Sequence, residues 1–396
     1  MKTVADYNFS GKRALVRVDF NVPLNEKFQV TDTTRILAVK PTIDKIIKDG
    51  GSVVIMTHLG RPKGEKNNKY SLAHIVKEVE KGLGYPVHFV EDSVGDEVEK
   101  LANDLKPGEI LLLENLRFYS AEEKGDREFA EKLSRLGDVY VNDAFGTAHR
   151  AHASTAVIAE FFPSTKFFGL LMASELDAID KVLGSGERPV TAIIGGSKVS
   201  SKITIIENML EAIDNLIIGG GMAFTFIRAL GGSIGDSIVE EDKMDLALDI
   251  LNKAKAKNVE VLLPVDVIVA DRFANDAETQ TVDIYEIPEG WMGLDAGPRT
   301  RALFHDAIMN SRTLLWNGPV GVFEMPTFAE GTVSVGNSIA EATNLGAFSL
   351  VGGGDSVAFV KQNGYEDKVS YVSTGGGAML ESLEGIELPG VAAINS

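Results

Sequence analysis

Short runs of apolar, β-branched residues alternate with longer segments of helical periodicity along the whole chain, and this alternation constrains the fold most strongly. Apolar strands separated by helices are typical of a parallel sheet that is covered on both faces. We therefore predict an α/β fold. In the first half the predicted strands are residues 14–18, 52–56, 110–113 and 138–141, and the predicted helices are 34–49, 71–83 and 127–136.

The same scheme continues in the second half of the chain. The strands predicted there are residues 190–194, 215–218, 260–263, 313–316, 347–351 and 368–372. At about 150 residues per domain, a chain of 396 residues contains two or three domains, and we place a boundary near residues 162–165. The helical pattern at 170–183 is either a stiff connection between two lobes or an ordinary surface helix.

Composition and charge exclude several classes of function. The chain contains no cysteine, which excludes disulfides, thiolate catalysis and cysteine-ligated metal sites. It has no apolar run long enough for a transmembrane helix and no signal-peptide pattern, so we expect a cytoplasmic protein with no membrane partner. Residues 1–168 contain 24 Lys and Arg against 25 Asp and Glu, whereas residues 169–396 contain 15 against 32. A chain this acidic is a poor partner for nucleic acid.

Glycine pairs or triplets follow four strands of the second half, at residues 195–196, 219–221, 352–354 and 375–377. Glycine lets backbone N–H groups approach an anion, and a helix N-terminus adds about half a positive charge. Tight packing explains a single such turn equally well. Because the carboxyl ends of parallel strands share one edge of a sheet, four such turns predict a phosphate-rich ligand there.

The familiar nucleotide-binding and kinase signatures are missing from the sequence. It has no G-x-x-x-x-G-K-[ST], no G-x-G-x-x-G and neither H-R-D nor D-F-G, which disfavours P-loop NTPases, ordinary dehydrogenases and protein kinases. Lys198 and Lys202, four residues apart, are predicted to share a helix face and to repel unless an anion lies between them. Asp355 could cap a helix or hold Mg²⁺, and the sequence alone favours capping.

Arginines follow the predicted strands of the first half, several of them with a histidine nearby. An arginine side chain pairs bidentately with carboxylate or phosphate. A single surface arginine is usually only solvated, but several at successive strand ends predict a basic pocket for a small polyanion. The residues concerned are Arg17, Arg35, His58, Arg61, Arg117, His149, Arg150 and His152.

Ten motifs, in order from about residue 10 to the C-terminus, resemble those of the phosphoglycerate kinase family. Any one of them is suggestive, and ten in sequence are highly specific. They are RVDFNVP at 17–23, HLGRP at 58–62, LENLRFY at 113–119, NDAFGTAHRAHAS at 142–154, GGSKVSSK at 195–202, GGGMAFTF at 219–226, MGLDAGP at 292–298, WNGPVGVFE at 316–324, GGGDS at 352–356 and STGGGA at 373–378.

The resemblance implies two Rossmann-like lobes, each a parallel sheet covered by helices, joined by a hinge helix. Residues 1–168, with a returning C-terminal segment 384–396, would bind 3-phosphoglycerate or 1,3-bisphosphoglycerate. Residues 169–383 would bind ATP or ADP with Mg²⁺. The implied activity is reversible phosphoryl transfer between Mg-ATP and the carboxylate of 3-phosphoglycerate in glycolysis, carried out by a monomer.

Matched residue by residue, the resemblance also implies site residues. Those for the phosphoglycerate are Asp19, Asn21, Arg35, His58, Arg61, Arg117 and Arg150. Those for the nucleotide are Gly196, Lys198, Lys202, Gly220, Gly293, Asn317, Pro319, Glu324, Gly352, Gly353, Gly354, Asp355 and Ser356. Glu324 would hold the ribose hydroxyls, Asp355 would contact the metal, and the catalytic residues would be Arg35, Lys198, Lys202 and Gly376.

This chemistry needs no general base, because a carboxylate at neutral pH has no proton to remove. Catalysis would come from in-line positioning, charge neutralisation and closure of the lobes. The alternatives are a non-catalytic phosphate-ligand binding protein, an oxidoreductase, and a regulatory partner role. The presence of Arg35 and Lys202 disfavours the first, and the missing G-x-G-x-x-G disfavours the second.

Overall fold

The computed structural model describes residues 1–396, which form two compact units. The first consists of Met1–Leu176 together with Glu387–Ser396, and the second of Asp177–Ile386. The division falls inside the helix Leu170–Asp180, beyond residue 168, where the sequence analysis set its boundary. None of the helices combines the length and the apolar character needed to cross a membrane.

The first unit is built on a six-stranded sheet in which every strand pair is parallel. Its spatial order is β3-β4-β2-β1-β5-β6. Apolar side chains such as Val16, Ile55 and Val141 are fully buried in the core that the sheet forms with its helices. The strands are Arg13–Val18 (β1), Ser52–Met56 (β2), Val87–Phe89 (β3), Ile110–Leu112 (β4), Val139–Asp143 (β5) and Lys166–Phe168 (β6).

Two predicted helices of the first unit differ from the structure. The segment 34–49 forms two helices because Pro41, in the first turn of the second, cannot donate a backbone hydrogen bond to a continuous helix. The segment 71–83 begins with a 3-10 turn, Leu72–His74. The helices are Thr34–Ala38 (α1), Lys40–Lys48 (α2), Val76–Leu83 (α3), Asp96–Asp104 (α4), Ser120–Glu123 (α5), Arg127–Ser134 (α6) and Leu170–Asp180 (α7).

The second unit has a second six-stranded parallel sheet, in the order β10-β8-β7-β15-β16-β17. All six of its strands were predicted, with small differences at their ends. The strands of this unit are Val190–Ile194 (β7), Asn215–Ile218 (β8), Ser233–Ile234 (β9), Glu260–Leu262 (β10), Asp266–Ala270 (β11), Thr279–Asp283 (β12), Glu286–Ile287 (β13), Met292–Ala296 (β14), Thr313–Asn317 (β15), Phe348–Val351 (β16) and Tyr371–Val372 (β17).

A small antiparallel sheet, β12-β11-β14, was missed by the sequence analysis. Its outer strand β12 is largely exposed, so it lacks the apolar run that marks the other strands. One face of the sheet buries Val267 and Val269 against Phe224 and Ile227. This packing places β14 beside the glycine turn that follows β8.

The remaining helices complete both units. In the second unit they are Ile203–Met209 (α8), Met222–Ala229 (α9), Met244–Ala256 (α10), Pro298–Met309 (α11), Glu330–Asn344 (α12), Gly354–Gln362 (α13) and Gly377–Leu383 (α14). The last helix, Pro389–Asn395 (α15), belongs to the first unit. There the N–H of Gly390 donates to the carbonyl of Ala148 at 2.8 Å, and Lys166 donates to the hydroxyl of Ser396 at 2.8 Å.

Candidate active site

Polar side chains gather at the carboxyl edge of the first sheet, in the loops that follow β1 and β2. Arg35 forms an ion pair with Asp19 at 3.0 Å and donates to the carbonyl of Asn21 at 3.1 Å. The side-chain oxygen of Asn21 accepts from the N–H of Gly60 at 2.9 Å. These contacts join the loop after β1 to the loop after β2.

Arg117, in the 3-10 turn after β4, extends this network by donating to the carbonyl of Gly60 at 3.0 Å. Its Nε lies 3.5 Å from a carboxylate oxygen of Glu123, an ion pair without a hydrogen bond. Five of the seven predicted phosphoglycerate residues are therefore brought together: Asp19, Asn21, Arg35, His58 and Arg117. Arg61 and Arg150 are exposed, and no ion pair connects them to the network.

Two buried histidines at this edge of the sheet are neutral at neutral pH. His58 is buried, and its pKa lies well below the usual value because of burial and then the charges of Arg17 and Arg117. Burial, reinforced by the same two arginines, lowers the pKa of His152 to about 4. The positive charge at this edge of the sheet therefore comes from arginine, which suits a small polyanion at any physiological pH.

Arg17 is one of the strand-end arginines predicted from the sequence, but its surroundings in the fold were not predicted. The Arg17 side chain is fully buried and donates from Nε to the hydroxyl of Ser154 at 2.8 Å. That hydroxyl donates in turn to the buried carboxylate of Glu122 at 2.5 Å. The sequence signal for Arg17 is a charge inside an otherwise apolar strand, but nothing in the sequence pairs it with residues more than a hundred positions away.

A cavity of about 500 Å³ lies at the carboxyl edge of the second sheet. Its walls are the glycine turn 219–221, the segment 319–322, and strand β14 with Gly293 and Leu294. Glu324 and Asp355 also line it. A concave, mostly apolar site of this size with a few polar groups is typical of small-ligand binding.

Lys202 lies beside this cavity and is held by a polar chain across three loops. Its ammonium donates to the side-chain oxygen of Asn317, whose nitrogen donates to the carbonyl of Gly352 at 3.0 Å. The hydroxyl of Ser356 accepts from the N–H of Gly318 at 2.6 Å. Burial lowers the pKa of Lys202, while the nearby carboxylate of Asp355 opposes that effect.

The predicted helix face shared by Lys198 and Lys202 is wrong. Helix α8 begins at Ile203, so Lys202 is its N-cap residue and Lys198 lies in the loop before it. Lys198 is exposed. The glycine pair begins the loop that follows β7, and this loop continues as far as Lys202. Both lysines therefore precede the first residue of the helix.

The glycines of these turns fall into two groups. Some are there for packing: a Cβ at Gly318 would lie 2.2 Å from the carbonyl oxygen of Gly195, and one at Gly219 would lie 2.5 Å from Val320. By contrast, a Cβ at Gly196, Gly354 or Gly376 would meet no atom within 4 Å. Tight packing thus explains the first group. In the second group the N–H of Gly196 already donates to the carbonyl of Pro319, whereas the space around Gly354 and Gly376 is open to a ligand.

Asp355 and Gly376 occupy helix starts at this edge. Asp355 is exposed in the first turn of α13, and Gly376 precedes α14 with a φ of +50°. Gly220 and Pro319 line the cavity wall, with the carbonyl of Pro319 accepting from the N–H of Gly196 at 3.0 Å. The predicted nucleotide residues therefore lie around one edge of the second sheet.

Comparison with known proteins agrees with the family resemblance of the ten sequence motifs. The family model for phosphoglycerate kinase matches residues 4–386. A phosphoglycerate kinase of Porphyromonas gingivalis is 54% identical, with 99% of each chain covered. A cytosolic phosphoglycerate kinase of Nicotiana tabacum is 51% identical, with 99% of this chain and 98% of the relative covered. The structure of phosphoglycerate kinase from Coxiella burnetii superposes with a TM-score of 0.92 at 39% identity, covering 99% of this chain and 98% of that one.

The family match extends over almost the whole sequence, and the fold matches over the whole length. The chain belongs to the phosphoglycerate kinase family and is a phosphotransferase of glycolysis that uses a carboxyl group as acceptor.

Proposed function

We propose that the first unit binds 3-phosphoglycerate or 1,3-bisphosphoglycerate, that the second binds ATP or ADP, and that the chain acts as a monomer. The observation that carries this assignment is the connected network of Asp19, Asn21, Arg35, His58 and Arg117 at the edge of the first sheet. Arginine side chains supply the positive charge of this network, and arginine pairs bidentately with both phosphate and carboxylate. The second unit offers a nucleoside-sized cavity instead.

In the second unit, the apolar walls around Gly293 and Pro319 would hold the base, and Glu324 would accept hydrogen bonds from the ribose hydroxyls. Lys202 would contact the transferring phosphoryl group, because its ammonium lies beside Asn317 and close to the open turn at Gly354. Lys198 would bind a phosphate from its exposed loop. The open N–H groups near Gly376 would donate hydrogen bonds to the same phosphoryl oxygens.

The residues present also fit a bound Mg²⁺. Mg²⁺ in kinases is usually held by one or two carboxylates together with substrate phosphates, and it keeps several waters. Asp355 is an exposed carboxylate on the cavity lining, next to Lys202, and would supply the protein ligand. When bound, Mg²⁺ would neutralise charge on the β- and γ-phosphate oxygens.

We infer a mechanism in which the enzyme acts mainly by holding its two substrates in line. The carboxylate of 3-phosphoglycerate attacks the γ-phosphorus of ATP, the bond to the β-γ bridging oxygen breaks, and ADP leaves. No proton has to be removed, which agrees with two neutral histidines that need not act as bases. Holding both reactants in line is worth roughly 7–11 kcal/mol. We propose that the two units close for this step and exclude water.

The Arg35→Ala variant tests this assignment. We expect kcat, measured as 3-phosphoglycerate-dependent ADP release from Mg-ATP, to fall about 10²- to 10³-fold, because a charge that stabilises the transferring group is removed. The Kd for ADP, measured by calorimetry, should stay unchanged. An equal loss of ADP affinity would refute the role of Arg35, and wild-type enzyme without 3-phosphoglycerate-dependent turnover would refute the proposed function.

A further inference from the structure

Glu122, Ser154 and Arg17 are buried, take no part in the proposed reaction, and are connected to one another and to His58 by polar contacts. Glu122, on α5, is completely buried and accepts from both the N–H of Ser154, at 3.0 Å, and its hydroxyl, at 2.5 Å. Burial raises the pKa of Glu122, and the positive charge of Arg17 opposes that rise. A buried carboxylate destabilises the fold unless it is paired and hydrogen-bonded. Breaking the contacts of Glu122 would therefore cost stability, and this holds the three side chains in place.

The second link is Arg17. Its Nε donates to the hydroxyl of Ser154, one terminal nitrogen donates to the carbonyl of Val18, and the other lies 3.3 Å from Nδ1 of His58. A guanidinium carries only donors. Nδ1 of His58 must therefore accept, and the proton of the neutral ring must be on Nε2.

The other charged groups around His58 do not compete with this assignment. The nearest carboxylate oxygen, on Asp19, lies 3.8 Å from Nδ1, which is too far for a hydrogen bond, and Asp19 is paired with Arg35. Arg117, Arg35 and His152 also face the ring, and each disfavours its protonation. An imidazolium would carry a proton on Nδ1 pointing at a guanidinium that cannot accept it.

We propose that Glu122, Ser154 and Arg17 are positioning residues that hold His58 in the Nε2–H tautomer. His58 then serves the bound phosphoglycerate as a neutral hydrogen-bond donor, and the arginines supply the charge. This inference rests on the proposed function, because it assumes that His58 contacts that substrate. The tautomer itself does not depend on the assumption and can be measured without ligand.

The first test is nitrogen-15 NMR of the full chain with labelled histidine. In the wild type we expect His58 to show a pyridine-like Nδ1 and a protonated Nε2, unchanged between pH 8 and pH 5.5. A protonated Nδ1, or a His58 signal that titrates near pH 6.5, would overturn the proposal. If adding 3-phosphoglycerate leaves the His58 signals unmoved while the tautomer is as expected, the substrate assignment fails and the tautomer stands.

The second test uses the Ser154→Ala and Ser154→Thr variants. Loss of a hydrogen bond to a charged group leads us to expect about a tenfold rise in KM for 3-phosphoglycerate in Ser154→Ala, with KM for ATP unchanged. The Ser154→Thr variant keeps the hydroxyl and should restore both KM and the His58 spectrum. If Ser154→Ala fails to fold, Glu122→Gln, which keeps the shape and an acceptor, replaces it. A normal tautomer together with normal KM in these variants would contradict the proposal.

Discussion

At the scale of single residues, burial decides what each charged group can do. Lys202 is half-buried and its ammonium is held by Asn317, so it presents a charge at a fixed place. Lys198, four positions earlier, is exposed in a loop. Two lysines that look equivalent in the sequence therefore have different environments, and only Lys202 is pre-positioned before a ligand arrives.

We expect the Lys202→Ala variant to lower kcat about 10²- to 10³-fold and to raise KM for ATP, because the fixed charge acts on bound and transferring phosphate alike. Lys202→Met, which keeps most of the packing, should lose as much activity. Lys255→Ala removes an exposed lysine from the last turn of α10 and serves as the control. Wild-type kinetics in Lys202→Ala would remove this residue from the site.

Asp143, at the end of β5, carries a fully buried carboxyl group. One oxygen accepts from the N–H of Met172 at 3.0 Å, at the start of α7, and the other has no hydrogen-bond partner. Burial raises the pKa of Asp143 to about 7. Between pH 4 and 7 the folded chain thus keeps a proton that the unfolded chain has released, so the free energy of unfolding falls as pH rises through this window.

The Asp143→Asn variant should therefore gain stability relative to the wild type as pH rises from 5 to 8, by up to about 3 kcal/mol. Urea unfolding at both pH values measures this. Asp138→Asn is the matched control, because hydrogen bonds and an ion pair with Arg13 lower the pKa of Asp138 despite its partial burial. That variant should lose stability at both pH values. An identical pH dependence in Asp143→Asn and the wild type would contradict the assignment.

At the scale of elements, the strand-to-helix turns have two uses that the sequence does not separate. In the turn that follows β16, Gly353 has a φ of +89° and a Cβ there would press on Asn317 at 2.7 Å, whereas Gly354 has open space and begins α13. The fold therefore requires glycine at position 353. At position 354 only a closely approaching ligand would require it.

The Gly354→Ala variant should fold at least as well as the wild type, because alanine is the better helix former by about 1 kcal/mol and no atom obstructs its methyl group. The methyl group would nevertheless stand where the nucleotide phosphates are proposed to lie. We expect KM for ATP to rise about tenfold or more with an unchanged melting temperature. Gly184→Ala, at an exposed position away from both sites, is the control and should leave both quantities unchanged.

At the scale of the whole molecule, each proposed ligand belongs to one unit. The acidic charge of the chain lies almost entirely in residues 169–396, where a nucleotide would bind through backbone amides and a few lysines. The first part is nearly neutral and provides the clustered arginines. The proposed division of ligands therefore rests on local groups, arginines in the first unit and backbone amides in the second, and not on the net charge of each unit.

Hydrogen exchange measured by mass spectrometry tests this separation. With 3-phosphoglycerate alone, we expect protection of amides near residues 19–21, 58–61 and 115–118. With ADP alone, we expect protection near residues 196, 219–221 and 352–356. Both ligands protecting peptides of the same unit would refute the division of roles.

Part of the fold and of the candidate site could be predicted because the signals are local. The apolar runs of β1, β2 and β7 gave strands at nearly the right bounds, and ten motifs in order gave the family. The antiparallel sheet around β11 was missed because its exposed strand β12 has no apolar pattern. The shared helix face of Lys198 and Lys202 was wrong because the loop after β7 is longer than the pattern indicated.

The sequence by itself determined the alternation of strands and helices, the order of the motifs and the kinds of side chain at each strand end. Only the tertiary structure decided which glycines are open, that Arg17 is buried, and that His58 faces a guanidinium. The physical reason is distance along the chain: Arg17 and Ser154 are 137 positions apart. Burial, pKa and tautomer depend on neighbours that the chain brings together only when it folds.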